Sequence, residues 1–160
     1  MYLPFEELND VLTLVKPFHR YQFFIYHRLI KAEDNGNIHL RPYSRAGFLN
    51  DLIESIGVIS NAGFELASEA MSMGKKILVK PLSGQMEQIS NARAITSLKL
   101  GMVMSRLNTV RVAQFLDQPA GRPIKFPNVA RMIANWIESG QWEDMEGLAK
   151  MTWQQTVLPV

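Results

Sequence analysis

Residues 56–70 read Ile56-Gly57-Val58-Ile59-Ser60-Asn61-Ala62-Gly63-Phe64-Glu65-Leu66-Ala67-Ser68-Glu69-Ala70. The apolar run over 56–60 has the length and β-branched content of a buried strand. From Gly63 onward the pattern changes: Phe64, Ala67 and Met71 recur at helical spacing, opposite Glu65, Glu69 and Ser72. The first amides of a helix have no intrahelical partners and carry partial positive charge. Phosphate oxygens satisfy both needs. Ala62 and Gly63 let an anion approach the backbone, and Asn61 adds an amide that either donates to that anion or caps the helix. Glu69 stands six residues past Gly63, about 9 Å along the axis at 1.5 Å per residue. A carboxylate there suits the paired hydroxyls of a ribose. Spacing alone favours the plainer reading, in which Asn61 and Gly63 cap and turn while Glu69 faces solvent.

Working outward, the pattern alternates strand and helix. A short strand is expected over Tyr2 to Phe5, and a helix over Glu6 to Val15. The aromatic run Tyr21 to His27 reads as a buried strand, Asp34 to Asn37 as a turn, and Ile38 to Arg41 as a third strand. Arg45 to Ser55 is helical in spacing. Gly63 to Met73 is the helix of the opening stretch, stopped by Gly74. Lys76 to Lys80 is a strand ended by Pro81, Gly84 to Leu98 a helix, Gly101 to Met104 a short strand, and Thr109 to Leu116 a helix. A joint with prolines at 119, 123 and 127 leads to helices over Val129 to Glu138 and Glu143 to Lys150. The fold expected is α/β: a Rossmann-like three-layer α/β/α domain with a mainly parallel sheet. Residues 1–118 would form it, and residues 119–160 a helical extension packed on it. Ligands of such sheets bind beyond the carboxyl ends of the strands.

Composition narrows the function classes. The 160 residues contain no Cys, which excludes disulfides, thiolate chemistry and Cys-based zinc sites. His19, His27 and His39 are scattered without metal-ligand spacing, so neither a metal nor a cofactor is expected. A net charge of +2 is too small to indicate a nucleic-acid partner. No apolar run approaches the roughly 20 residues that cross a bilayer, and residues 1–10 lack the form of a signal peptide. A cytoplasmic location fits these features. No Gly-x-Gly-x-x-Gly follows the first strand, which argues against a dinucleotide oxidoreductase. Lys75, Lys76 and Lys80 flank a buried strand and are expected as solvated ends. The tryptophans Trp136, Trp142 and Trp153 are expected to pack the last helices or to cover a face toward another domain.

A second polar cluster follows Pro81: Gln85, Glu87, Gln88 and Asn91, in the first turns of a helix, where they could hydrogen-bond sugar hydroxyls or complete a cap. Together the two clusters are far more specific than either alone. The stretch from Gly63 to Ala92 resembles the donor-binding, carboxyl-terminal half of two-domain glycosyltransferases of the GT-B fold. It is similar to the group of UDP-glucuronosyltransferase-like enzymes and the peptidoglycan lipid-linked N-acetylglucosamine transferase. The shared pattern is the small-residue turn Ala62-Gly63, Glu69, Gly74, Pro81, Glu87-Gln88 and Asn91-Ala92.

The resemblance implies a role for each position. Asn61, Ala62, Gly63 and Phe64 would meet the donor diphosphate, and Glu69 the ribose. Gln85, Glu87, Gln88 and Asn91 would contact the transferred sugar, while Arg41 and Tyr43 would flank the base. The partner implied is a nucleoside-diphosphate sugar such as a UDP-sugar, a substrate rather than a cofactor. An amino-terminal acceptor-binding domain, outside these residues, would supply the catalytic base. No catalytic residue is therefore assigned here, and the 160 residues alone are expected to be inactive. Peripheral membrane contact through the full-length enzyme stays open. Asn61 stands where many relatives have His, Ala62 where they have Gly, Leu66 where they have Ser or Thr, and Glu87 where Asp is commoner. A sugar-nucleotide epimerase on the same fold and a non-catalytic nucleotide-binding module are the alternatives.

Overall fold

The computed structural model describes residues 1–29, 31–140 and 142–158. Helix α1 (Leu8–Val15) is followed by β1 (Phe23–Tyr26), the hairpin β2 (Glu33–Asn35) and β3 (Ile38–Arg41), then α2 (Arg45–Glu54). The second half runs β4 (Gly57–Asn61), α3 (Phe64–Ser72), β5 (Lys76–Lys80), α4 (Met86–Ser97), β6 (Met102–Val103) and α5 (Thr109–Asp117). Helices α6 (Val129–Ser139) and α7 (Met145–Gln155) close the chain.

The strands pair in two groups, β2-β3-β1 and β4-β5-β6. Tyr2 joins them, bridging in parallel to Tyr26 on one side and Ser60 on the other. Among the described residues the named strands pair in parallel except β2 with β3. With the Tyr2 segment counted as the first strand, the parallel strands follow the doubly wound order, and the strand order reverses between Tyr2 and β4. That reversal opens the crevice in which such sheets bind ligands.

Alternation along the strands sends side chains to two cores. Ile59, Leu78, Phe23 and Ile25 pack with Val11, Val15, Val112 and Phe115 of α1 and α5. Val58, Ile77 and Val79 pack with Leu52, Ala67, Ala70, Ala92 and Ile95 of α2, α3 and α4. The result is the expected three-layer α/β/α arrangement, with helices on both faces of a mainly parallel sheet. Gly74 ends α3 with φ +69, and a Cβ there would stand 2.9 Å from the Pro123 nitrogen. Both the left-handed backbone and the close approach require glycine.

Several elements differ from expectation. Of Tyr2 to Phe5 only Tyr2 pairs, and α1 begins at Leu8 rather than Glu6. Glu33–Asn35 is a strand, so the expected turn shrinks to the two residues after it, with Gly36 at φ +59. Helix α7 runs on to Gln155, beyond the expected end at Lys150.

The three lysines are not solvated ends. Lys75 Nζ donates to the carbonyls of Ile53 (2.6 Å) and Ser55 (2.8 Å). Lys76 is buried: its Nζ donates to the carbonyls of Leu116 (3.0 Å) and Gln118 (2.9 Å) and lies over the Phe115 ring. Burial lowers its pKa, opposed by Asp117. Lys80 pairs with Glu6. Helices α6 and α7 pack on each other and hold no buried residue. Trp142 and Trp153 are exposed. The joint before α6 is fastened by buried Ile124, whose amide donates to the Met71 carbonyl (3.0 Å).

Candidate functional site

The carboxyl ends of Tyr2, β4 and β5 meet at the crevice. Asn61 ends β4 and is in register with Lys80, which ends β5. Asn61 Nδ2 donates to the Lys80 carbonyl at 3.0 Å. That carbonyl only accepts, so the orientation of the amide is settled. Asn61 Oδ1 is then left buried without a partner among the described residues. A buried acceptor in this state costs about 1–3 kcal/mol. Beside it, Lys80 Nζ reaches Glu6 Oε1 at 2.5 Å, both side chains largely buried. Glu6 follows the Tyr2 segment and β4 lies between Tyr2 and β5, so this ion pair crosses the end of β4.

The turn into α3 is asymmetric. Ala62 is fully buried; its amide donates to Gln88 Oε1 (3.2 Å), and its carbonyl accepts from Asn91 Nδ2 (3.0 Å). The cradle of free amides expected over 61–64 therefore does not include Ala62. Gly63 is the N-cap of α3, with φ −67 and ψ 145, and no side chain caps this end. A Cβ placed on Gly63 meets nothing within 4 Å. The helix start beyond Ala62 thus faces open space.

The second cluster is brought against the first, but largely as scaffold. Gln88 Oε1 also accepts from the Leu82 amide (3.1 Å), and Gln88 Nε2 donates to Gln85 Oε1 (2.8 Å). Gln88 is buried, and its polar atoms serve the protein itself. Asn91 Nδ2 is shared between Ala62 and Glu87 Oε1 (3.4 Å). Glu87 and Gln85 are exposed at the first turn of α4.

In front of α3 lies an open cavity of about 530 Å³. Tyr43, Ser44 and Arg45 line it from the start of α2; Glu65, Leu66 and Glu69 line it from α3. The rings of Tyr2, Tyr26 and Phe48 complete it, with Tyr2 edge-on to Tyr43 (5.9 Å) and Phe48 (5.8 Å). Glu69 and Tyr43, assigned separately from sequence, share this space. Arg41 does not: its guanidinium is tied to Asp34 (2.6 Å) and the Leu40 carbonyl (2.9 Å), over the Phe24 ring. Its side chain is held in the hairpin, outside the residues that line this cavity. Glu65 is a residue lining this cavity that the sequence assignment leaves without a role. Its spacing from Glu69, one helical turn, is the signal for it.

Among the described residues no helix is long and apolar enough to cross a membrane. No curated protein matches the sequence. Among solved structures, the chain is similar to the glycotransferase of kitacinnamycin, with a TM-score of 0.55 and 16% identity over 74% of this chain and 35% of that one. It is also similar to the glycosyltransferase SnogD from Streptomyces nogalater, with a TM-score of 0.56 and 17% identity over 72% and 33%. Likeness at that identity shows the fold, and the chain spans about a third of the length of these structures. The family described as Glycosyl transferase family 1 matches residues 3–119, and the chain belongs to that family.

Proposed function

We propose that this chain is the donor-binding, carboxyl-terminal half of a GT-B glycosyltransferase, holding a nucleoside-diphosphate sugar at the crevice beyond β4 and β5. The observation that carries this reading is the α3 start, left without a cap and open over Gly63. Beside it is the cavity that Glu69 and Tyr43 share. The amides of Gly63 and Phe64 receive the diphosphate, which suits a helix end. Glu69 accepts the ribose hydroxyls, and Tyr43 lies against the base. Glu87 and Gln85, exposed at the start of α4, reach the sugar, while Gln88 and Asn91 hold the turn that presents Gly63. The full-length enzyme transfers the sugar to an acceptor hydroxyl using a base from its other domain. The contribution of these residues is donor orientation and stabilisation of the leaving diphosphate by fixed amides.

Calorimetry with UDP and other nucleoside diphosphates tests the reading. One of them binds, and Glu69→Ala weakens it by about 1.5–3 kcal/mol, the range for a hydrogen bond to a charged group. That is roughly 10- to 150-fold in Kd. Absence of binding by every nucleoside diphosphate tried, or an unchanged Kd in the variant, overturns it. Leu66 favours a second reading, nucleotide binding without transfer, because it lines the cavity with an apolar side chain. Turnover by the full-length protein with a donor separates the two.

A further inference from the structure

Strand β6 is an edge of the sheet: β5 pairs with one side of it, and no described strand pairs with the other. The register fixes which backbone groups are left over. Met102 and Val103 stand opposite Leu78 and Val79 in parallel pairing, and the Met104 amide donates to the Val79 carbonyl (3.0 Å). The amide and carbonyl of Met102 therefore also face β5. A trans peptide sends its C=O and N–H to opposite sides. The Gly101 carbonyl and both backbone groups of Val103 thus point away from the sheet. The edge offers two acceptors and one donor.

Two cavities flank this edge and share Thr96 and Val103. Toward α5, about 570 Å³ is bounded by Arg106, Asn108 and Arg111. Toward α4, about 340 Å³ is bounded by Pro81, Ile89 and Arg93. Val103 packs with the core under α2, α3 and α4, whereas Met102 and Met104 pack with the core under α1 and α5, so the two faces of the edge differ. The Asn108 oxygen accepts from the Arg111 amide (3.0 Å), which leaves Nδ2 as a donor. Arg93, Arg106 and Arg111 are exposed, and among the described residues none of them forms an ion pair. Arg111 Nη1 donates to the neutral Gln114 (3.2 Å). No described carboxylate lines either cavity.

We propose that the β6 edge docks an extended, acidic segment of a partner polypeptide, which adds a strand to the sheet. A small anion would use the donor and the cations but leave the Gly101 and Val103 carbonyls bare. A strand brings N–H groups to them as well. Alternation divides its side chains between the two faces. Carboxylates face Arg106 and Arg111 on the α5 side, and apolar residues face Ile89 and Val103 on the α4 side, where Arg93 adds a third cation. Charged side chains at an edge discourage indiscriminate pairing. Here they oppose basic strands and admit acidic ones, which is selection by charge.

Fluorescence anisotropy with labelled, end-capped peptides tests this on the chain as it stands. Glu-Val-Glu-Val-Glu is expected to bind with a Kd of about 1 mM or lower. Lys-Val-Lys-Val-Lys is expected to bind about tenfold more weakly or not at all. The same weakening is expected of the acidic peptide with every amide N-methylated, which keeps its carboxylates and loses its ladder donors. The double variant Arg106→Gln, Arg111→Gln is expected to weaken the acidic peptide about tenfold while melting with the parent, since both side chains are exposed. Absence of binding at about 1 mM overturns the proposal. So does equal binding of the N-methylated peptide, which would mean an anion site without a strand, or equal binding by the double variant. The competing occupant is a second copy, through its exposed acidic edge strand β2. Sedimentation that rises with concentration and falls back in Glu33→Lys would assign the edge to that copy and overturn the proposal.

Discussion

Gln88 is the residue whose replacement separates scaffold from ligand contact. Gln88→Met keeps the length and the apolar stem but removes the oxygen that accepts from the Ala62 and Leu82 amides. Ala62 is fully buried, so water cannot replace the lost acceptor, and an unsatisfied buried donor costs about 1–3 kcal/mol. Leu82 is half-buried, so its amide regains water and loses less, about 1 kcal/mol. Gln85 is exposed and loses its partner at little cost. The sum is about 2–4 kcal/mol. In a domain of this size each kcal/mol lowers Tm by about 2–4 °C, so the fall is roughly 4–16 °C. Gln88→Glu retains an acceptor for both amides, in the first turn of α4 where a carboxylate is favoured, and should lose less. Calorimetric melting of both variants checks the order. Gln88→Met melting within about 2 °C of the parent would refute the assignment of Gln88 to the scaffold, and with it the account of how the turn at Gly63 is held.

Three other outcomes follow from the same geometry. Gly63→Ala should leave stability within about 1 kcal/mol by urea unfolding, because the backbone there is ordinary and a Cβ meets nothing; it should nevertheless weaken diphosphate binding in calorimetry by standing in the approach to the helix end. Lys80→Met leaves a largely buried Glu6 carboxylate without its cation and should cost about 1–3 kcal/mol, most of it recovered in the double variant with Glu6→Gln; a double-mutant cycle with no coupling energy contradicts this. The Asp34 carboxyl should titrate by NMR below its usual 3.8, held down first by Arg41 and then by His39. A depressed folded value means that its contribution is present above 3.8 and lost as pH falls through the lower value. Arg41→Met should bring the carboxyl back toward 3.8.

How far the sequence carried depends on what kind of signal each element had. Strand β5 has its expected ends, Lys76–Lys80, because Gly74 and Pro81 punctuate it and the run between is apolar. Asp34 and Asn35 of strand β2 have turn chemistry, which points to a turn. Their strand conformation comes from pairing with β3, where Asp34 faces His39 and binds both it and Arg41. That is tertiary context overriding local preference. The lysines differ from expectation for a similar reason. Charge at the ends of a buried strand suggests solvent, but the last carbonyls of α2 and α5 lack intrahelical partners and need donors nearby. Lys75 and Lys76 supply them, across some 20 and 40 residues of sequence.

The same distinction sorts the crevice. Ala62 and Gly63 look alike in sequence, two small residues at a turn. Ala62 is small because the fold needs it so: it is fully buried in the core over α3, and Gln88 and Asn91 use both of its backbone polar groups. Nothing in the fold asks the same of Gly63, whose φ is ordinary and whose missing Cβ would enter empty space. The polar pair at 88 and 91 thus builds the turn and leaves the next residue bare. A glycine the fold does not need, at an uncapped helix start, is what the proposed diphosphate would require, since it leaves room to reach the amides of Gly63 and Phe64.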